Sequence, residues 1–339
     1  MGRVTLQDVA ERAGVSMKTV SNVVRGYQHV SPEMRARVQA VVEELGYRPN
    51  STGRSLATGR SSMLGLAFPD LRRPYFAELA HVFARVAAEH GYRLLLAETG
   101  GTAEGERAVL HDREAGIVDG FVMHPQELTA AELDELRAGT PLVFLGEDPQ
   151  PAGSDQVAVD NVAAAADAVA HLVRGGRRRI GFLGHELGEP SRTSALRLQG
   201  YRAGLEAAGL PLDPALLVPR GEGDALGAEV ALDAALDRGL DVDALLCRED
   251  LAAVGALRAL RRHGIDVPGD VALVGWDAIE LGASTAPSLT SVAPDTRELA
   301  ERALGLLMER IGGATTPGRH VTVGHSLTVR ESAPGVGGD

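Results

Sequence analysis

The chain has 339 residues, 44% of them hydrophobic, which suits two or three domains with sizeable cores. Its single cysteine, Cys247, rules out a disulfide within the chain and any multi-cysteine metal site. No apolar run nears the roughly 18 residues of a membrane span, and the opening Met1-Gly2-Arg3-Val4-Thr5-Leu6-Gln7-Asp8 lacks a signal peptide's apolar core. The expectation is a protein of a reducing, cytoplasmic setting with no membrane partner.

The formal net charge of −12 is unevenly spread. Residues 1–60 carry nine Lys+Arg against five Asp+Glu, a net of +4, and the rest carries 25 against 41, a net of −16. A basic head on an acidic body lets the head meet phosphate while the body avoids it. Lys18 is the only lysine beside 33 arginines, and it lies in that head.

In chain order, Thr5 can cap a first helix, with Asp8 at the favoured third position. Leu6, Val9, Ala10 and Ala13 recur at helical spacing up to Gly14. Ser16 can cap a second helix reaching about Val24. A third starts at Ser31 with Pro32 in its first turn and stops at Gly46. Two short helices around a Gly-containing turn form a helix-turn-helix pattern. In the second helix Val20, Val23 and Val24 can face inward, which leaves Met17, Lys18, Ser21 and Asn22 outward. Lys18 can donate to guanine O6 and N7, and Asn22 can bridge adenine N6 and N7. By periodicity alone, a small bundle with an ordinary wet face fits as well.

The stretch Val4-Thr5-Leu6-Gln7-Asp8-Val9-Ala10-Glu11-Arg12-Ala13-Gly14-Val15-Ser16-Met17-Lys18-Thr19-Val20-Ser21-Asn22-Val23-Val24 resembles the head of the lactose-repressor (LacI/GalR) family. So do His29-Val30-Ser31-Pro32 and Glu44-Leu45-Gly46-Tyr47-Arg48-Pro49-Asn50. The resemblance implies a sequence-specific DNA-binding regulator of the repressor type. It would bind a pseudo-palindromic double-stranded operator as a homodimer, under the control of a small effector of the sugar class. It assigns base reading to Met17, Lys18 and Asn22, and phosphate contacts to Thr5, Ser16, Thr19, Ser21 and Asn50.

Residues 50–61 turn small and polar around Leu56. With Gly53 and Gly59 among them, a lone helix there is marginal in water. On composition this is a flexible linker. The resemblance implies instead a hinge helix formed on DNA, with Leu56 wedged into the minor groove.

From Ser62 onward strand-like runs alternate with helical patterns. Strands at 63–68, 93–97, 120–123 and 142–145 have helices at 75–90, 104–115 and 130–138 between them. A second set has strands at 180–183, 244–247 and 271–275 and helices at 198–208, 225–238 and 251–263. Such alternation makes right-handed βαβ units, here two doubly wound parallel sheets with a ligand cleft at the strands' carboxyl ends. The resulting fold class is α/β, with a three-helix head, a hinge and a two-lobed body like the periplasmic sugar-binding proteins. The boundaries are 1–49 for the head, 50–61 for the hinge and 62–339 for the body. By the resemblance the chain crosses between lobes near 161, 292 and 324, giving an N-lobe of 62–161 and about 293–323 and a C-lobe of 162–292 and about 324–332.

Effector contacts are expected just after strands. The resemblance assigns Tyr75 and Phe76 as aromatic cover, Arg197 as a sugar clamp, Asp277 beside Trp276 as a hydroxyl binder, and Asp160 at the first crossover. Planar guanidinium and carboxylate groups can each bond paired hydroxyls, and aromatic faces cover apolar sugar edges. Taken singly, an Asp or Arg at a strand end is as well read as a cap or an ion pair. Arg248-Glu249-Asp250 departs from the family's usual Ala-Asn-Asp, so Glu249 adds a charge in or beside the cleft.

No G-x-x-x-x-G-K-[ST], H-E-x-x-H or G-x-S-x-G is present, and the ten histidines show no metal-ligand spacing. Gly221-Glu222-Gly223-Asp224-Ala225-Leu226-Gly227 misses the dinucleotide fingerprint by one residue. No enzyme activity, metal or cofactor is therefore expected. An exported solute-binding protein would lack the head, and an α/β sugar enzyme would need a base–nucleophile pair. The tail after Arg330 has no leucine heptads, so a dimer is the expected limit.

Overall fold

The computed structural model describes residues 4–24, 27, 29–47, 60–112, 116–136, 139–148, 151–186, 188, 191–221 and 225–335. Asn50 and Leu56, with most of the proposed hinge, lie outside the described residues, as do 48, 49 and 222–224. The chain divides into two compact units, Met1–Ser62 and Met63–Asp339.

In the first unit, α1 (Leu6–Ala13) opens on a reciprocal capping box: the Asp8 amide donates to the Thr5 hydroxyl, and the Thr5 amide donates to the Asp8 carboxylate at 2.8 Å. It closes at Gly14, whose φ of 65° suits a residue without a Cβ. α2 (Met17–Val24) follows, capped by the Ser16 hydroxyl, which accepts from the Thr19 amide at 3.1 Å. α3 (Pro32–Glu44) starts at Ser31, with Pro32 in its first turn. Val9, Ala10, Ala13, Val20, Val23, Val38, Val41 and Tyr47 form one small core shared by all three helices.

The second unit holds two six-stranded sheets among the described residues. The first has the order β11-β5-β4-β3-β1-β2, from β1 (Met63–Phe68), β2 (Arg93–Glu98), β3 (Gly120–Met123), β4 (Leu142–Leu145), β5 (Asp155–Val159) and β11 (His320–Val323). The second has the order β12-β10-β9-β8-β6-β7, from β6 (Ile180–His185), β7 (Leu217–Pro219), β8 (Ala244–Cys247), β9 (Ala272–Trp276), β10 (Thr290–Pro294) and β12 (His325–Thr328). All pairings are parallel except β10 with β12. β3, β4 and β8 are buried throughout, because helices cover both faces of a parallel sheet.

The helices of the unit are α4 (Pro74–Glu89), α5 (Ala103–Asp112), α6 (Ala130–Leu136), α7 (Asn161–Arg174), α8 (Arg192–Ala207), α9 (Ala225–Asp237), α10 (Asp250–Arg262), α11 (Glu280–Ala283) and α12 (Thr296–Ile311). In the first lobe Leu64, Leu66 and Phe68 pack on Phe83, Val86, Leu304 and Leu307, while Phe121, Met123 and Phe144 meet Leu133 on the other face. In the second, Phe182, Tyr201, Val274 and Trp276 share one core, and Leu183, Leu232, Leu245 and Leu260 another. α7 and α8 approach closely because Gly200 lets them: a Cβ there would stand 2.2 Å from the Val162 carbonyl oxygen.

The chain passes between the sheets three times, after β5, after β10 and at Gly324 between β11 and β12. The carboxyl ends of the strands carry the polar side chains described next.

Candidate functional site

On the head, Val20 and Val23 are buried, whereas Met17 is 52% exposed and Lys18 is exposed beside it. Ser21 and Asn22 are half-buried on the same helix. The Thr5 and Ser16 hydroxyls are both engaged in capping, and Ser16 lies 2.9 Å from the Thr19 hydroxyl. α2 thus presents its first turn, with the chain's single lysine, to solvent.

On the body, short loops after the strands bring a set of side chains together between the lobes. Arg197, from the second turn of α8, lies with its guanidinium carbon over the Trp276 ring, 4.1 Å from the centroid, a cation–π contact. Its Nε donates to Asn161 Oδ1 at 2.8 Å, and its Nη1 to the Arg248 carbonyl at 2.5 Å. Nη2 stands 3.8 Å from Asp277 Oδ1, closer to an ionic contact than to a hydrogen bond. The Asn161 amide donates in turn to Glu147 Oε1, and Glu147 Oε2 accepts from the Thr193 hydroxyl at 2.7 Å. Glu147 follows β4 and Thr193 stands on α8, so this chain of bonds spans both lobes.

Asp277 follows β9 on a backbone with φ of 99°, and Ala278 has φ of 52°. Non-glycine residues rarely adopt such angles, at a cost of about 1–2 kcal/mol each. A buried carboxylate holds the turn: Asp250 accepts from the Ile279 amide at 2.8 Å and from the Ser291 hydroxyl at 2.6 Å, and that hydroxyl accepts from the Ala278 amide. Burial pushes the Asp277 carboxyl up to about 8, against the opposing pull of Arg197. Burial likewise pushes the Tyr75 phenol up, with Asp277, Arg197 and Glu147 close enough to act on it. His124, just after β3, is held down toward its neutral form by burial, and its Nδ1 finds no hydrogen-bond partner among the described residues.

One wall is ionic. Glu249 pairs with Arg73 of the first lobe and with Arg248 at 3.4 Å. Arg248 donates to the Ser194 hydroxyl at 2.6 Å and lies 3.4 Å from Glu186, which pairs with Arg220. Burial lowers the Arg248 guanidinium from its usual range, while Glu249 and Glu186 work against that shift.

Of the residues expected from sequence, Tyr75, Arg197, Glu249, Trp276 and Asp277 come together here. Phe76 lies in the first lobe's core, its ring stacked 4.9 Å from Phe68, with His124 at its edge. Asp160 is exposed and caps α7 by accepting from the Ala163 amide at 2.9 Å, while its buried neighbour Asn161 reaches Arg197. Sequence reading missed Arg73, His124 and Glu147. The signal that could have found the last two is position, since each is the first or second residue after a strand's carboxyl end.

Head and body together define a class: a helix-turn-helix DNA-binding unit carried in one chain with a two-lobed ligand-binding unit. Residues 5–50 match the family model for bacterial regulatory proteins, lacI family, and residues 169–333 that for a periplasmic binding protein-like domain. The chain is 34% identical over 313 residues to the HTH-type transcriptional regulator AscG of Escherichia coli (strain K12), covering 91% of this chain and 92% of that one. It is 31% identical to Catabolite control protein A of Priestia megaterium, covering 97% and 99%. Among solved structures, the lac repressor dimer bound to operator and the anti-inducer ONPF is 27% identical with a TM-score of 0.84, covering 98% and 100%. The CelR–cellobiose complex is 32% identical with a TM-score of 0.70, covering 97% and 100%. The chain belongs to the lacI family of bacterial regulatory proteins and is a DNA-binding transcriptional regulator. No helix among the described residues is long and apolar enough to cross a membrane.

Proposed function

We propose that this regulator is a repressor that acts on the chromosome in the cytoplasm, gripping a pseudo-palindromic operator as a homodimer. Met17, Lys18 and Asn22 read bases, Thr5, Ser16, Thr19 and Ser21 meet phosphates, and Asn50 and Leu56 complete the DNA contact from the segment beyond. A small polyhydroxylated effector, a sugar or sugar derivative, binds between the lobes and changes the grip. The cleft binds its ligand without transforming it. What carries the effector reading is Arg197, a guanidinium over the Trp276 ring with Asp277 facing it, since a planar donor and a carboxyl can each take paired hydroxyls. Tyr75, Asn161, Glu147 and His124 supply further donors and acceptors on the same cleft. The ligand named in the CelR–cellobiose complex supports the sugar class.

The test is a thermal-shift screen of the full chain against neutral sugars, since a ligand that binds only the folded state raises the melting temperature. With a hit in hand, Asp277→Ala should lose the shift while binding operator DNA as before. A folded variant that still responds at the same sugar concentration would remove Asp277 from the site. If no sugar shifts the melting point but a purine or another small molecule does, the sugar class fails and the cleft stands.

A further inference from the structure

Arg73 and Glu249 occupy facing positions in the two lobes. Each is the last residue before a helix: Arg73 precedes α4 in the first lobe, and Glu249 precedes α10 in the second. Neither side chain caps its own helix. Glutamate is not one of the short side chains that favour capping from this position, so the Glu249 carboxylate is left available. It turns across the cleft to the Arg73 guanidinium instead. Their side chains are 27% and 11% exposed, so the pair is partly withdrawn from water and is screened less than a surface pair.

We propose that the Arg73–Glu249 pair is an electrostatic latch between the lobes, which favours the arrangement described here and releases it when the pair breaks. Arg248 makes release feasible. Its Nη1 lies 3.4 Å from Glu249 and belongs to the same lobe, so on opening the carboxylate keeps one cationic partner. A buried charge left alone is costly, and a carboxylate that keeps a cationic neighbour avoids most of that penalty. Arg73, the more exposed partner, is the one that moves into water. Two other ties across the cleft are to neutral partners: Glu147 meets a hydroxyl on Thr193, and Glu78 accepts from the Glu280 amide. The latch therefore makes lobe closure sensitive to ionic strength. The latch is made by side chains of the two lobes alone and does not depend on which ligand the cleft takes.

The test measures the distance between lobes in the full chain. Spin labels are placed by Glu104→Cys on α5 and Arg238→Cys after α9, both exposed, with the native Cys247 buried and unreactive. Distance distributions are recorded by pulsed electron resonance. Arg73→Gln and Glu249→Gln should each move the distribution to longer distances, and the double variant should move it no further than either alone. Raising salt from about 0.1 M to about 1 M should move the unsubstituted chain the same way and leave Arg73→Gln unchanged. A shift in only one single variant, an additive double variant, or an equal salt response in Arg73→Gln overturns the latch. Because Arg73 is partly exposed, its variant retains the fold even if Glu249→Gln proves unstable, and the salt comparison then decides by itself.

Discussion

Asp277 is pulled two ways: burial favours the neutral acid, while Arg197, 3.8 Å away, favours the carboxylate. Burial wins, and the carboxyl rises to about 8, so the folded chain holds this proton more tightly than the unfolded chain does. The stability this contributes is fully present below the ordinary aspartate range and is lost as pH rises through about 8. Asp148 and Asp250, each pushed up by burial to about 6, act in the same sense over the lower part of that window. Melting temperature should therefore fall from about pH 5 to about pH 8, and Asp277→Asn should remove the fall above about pH 6 and leave below it only the share of Asp148 and Asp250. Melts of both chains across this range check it. An equally steep fall in the variant would mean that Asp277 is ionised at neutral pH.

α2 shows what an element can tell in advance. Its buried valines and exposed first turn leave Lys18 on the solvent face and Asn22 half-open beside it, so Lys18→Ala and Asn22→Ala should each weaken binding to the true operator by about 1–3 kcal/mol. On random DNA the Asn22 variant should bind nearly as before. Equal losses on both DNAs would make these side chains phosphate contacts. The head was legible because Thr5, Asp8, Gly14, Ser31 and Pro32 each mark a helix end by local chemistry. β1, β3, β4 and β8 were legible as short apolar runs. β5 was not, since its first two residues, Asp155 and Gln156, are polar yet buried, Asp155 between Arg310 and Arg319 and Gln156 on the carbonyls of Gly146 and Asp148. α7 escaped for a different reason: its buried stripe is made mostly of alanine, Ala164, Ala165 and Ala168, beside only Val169 and Leu172, and stands out little from the alanines on its other side. In the cleft, Arg197 and Asp277 followed from the family resemblance, whereas Arg73 and Glu249 lie 176 residues apart and only the fold joins them.

The molecule as a whole exposes apolar side chains that a monomer would be expected to cover. Leu226 and Val230, one turn apart on α9, are 69% and 60% exposed, and Leu281 on α11 and Leu96 on the edge strand β2 are open as well. These suit the homodimer proposed above. Sedimentation should find a dimer at micromolar concentration, and Leu226→Glu with Val230→Glu should drive it toward monomer. A monomeric unsubstituted chain, or a tetramer, would contradict this. The three passages of the chain between the sheets bear on how such a dimer could signal. Two bodies joined by one strand can swivel, twist and slide, whereas bodies joined by three side-by-side strands resist all but rotation about the line through the joints. The lobes are in effect a door on three hinges, with opening angle as their one soft coordinate. Any ligand, ion or substitution that acts on the cleft must then act on the same angle, so unrelated perturbations should rank along a single scale.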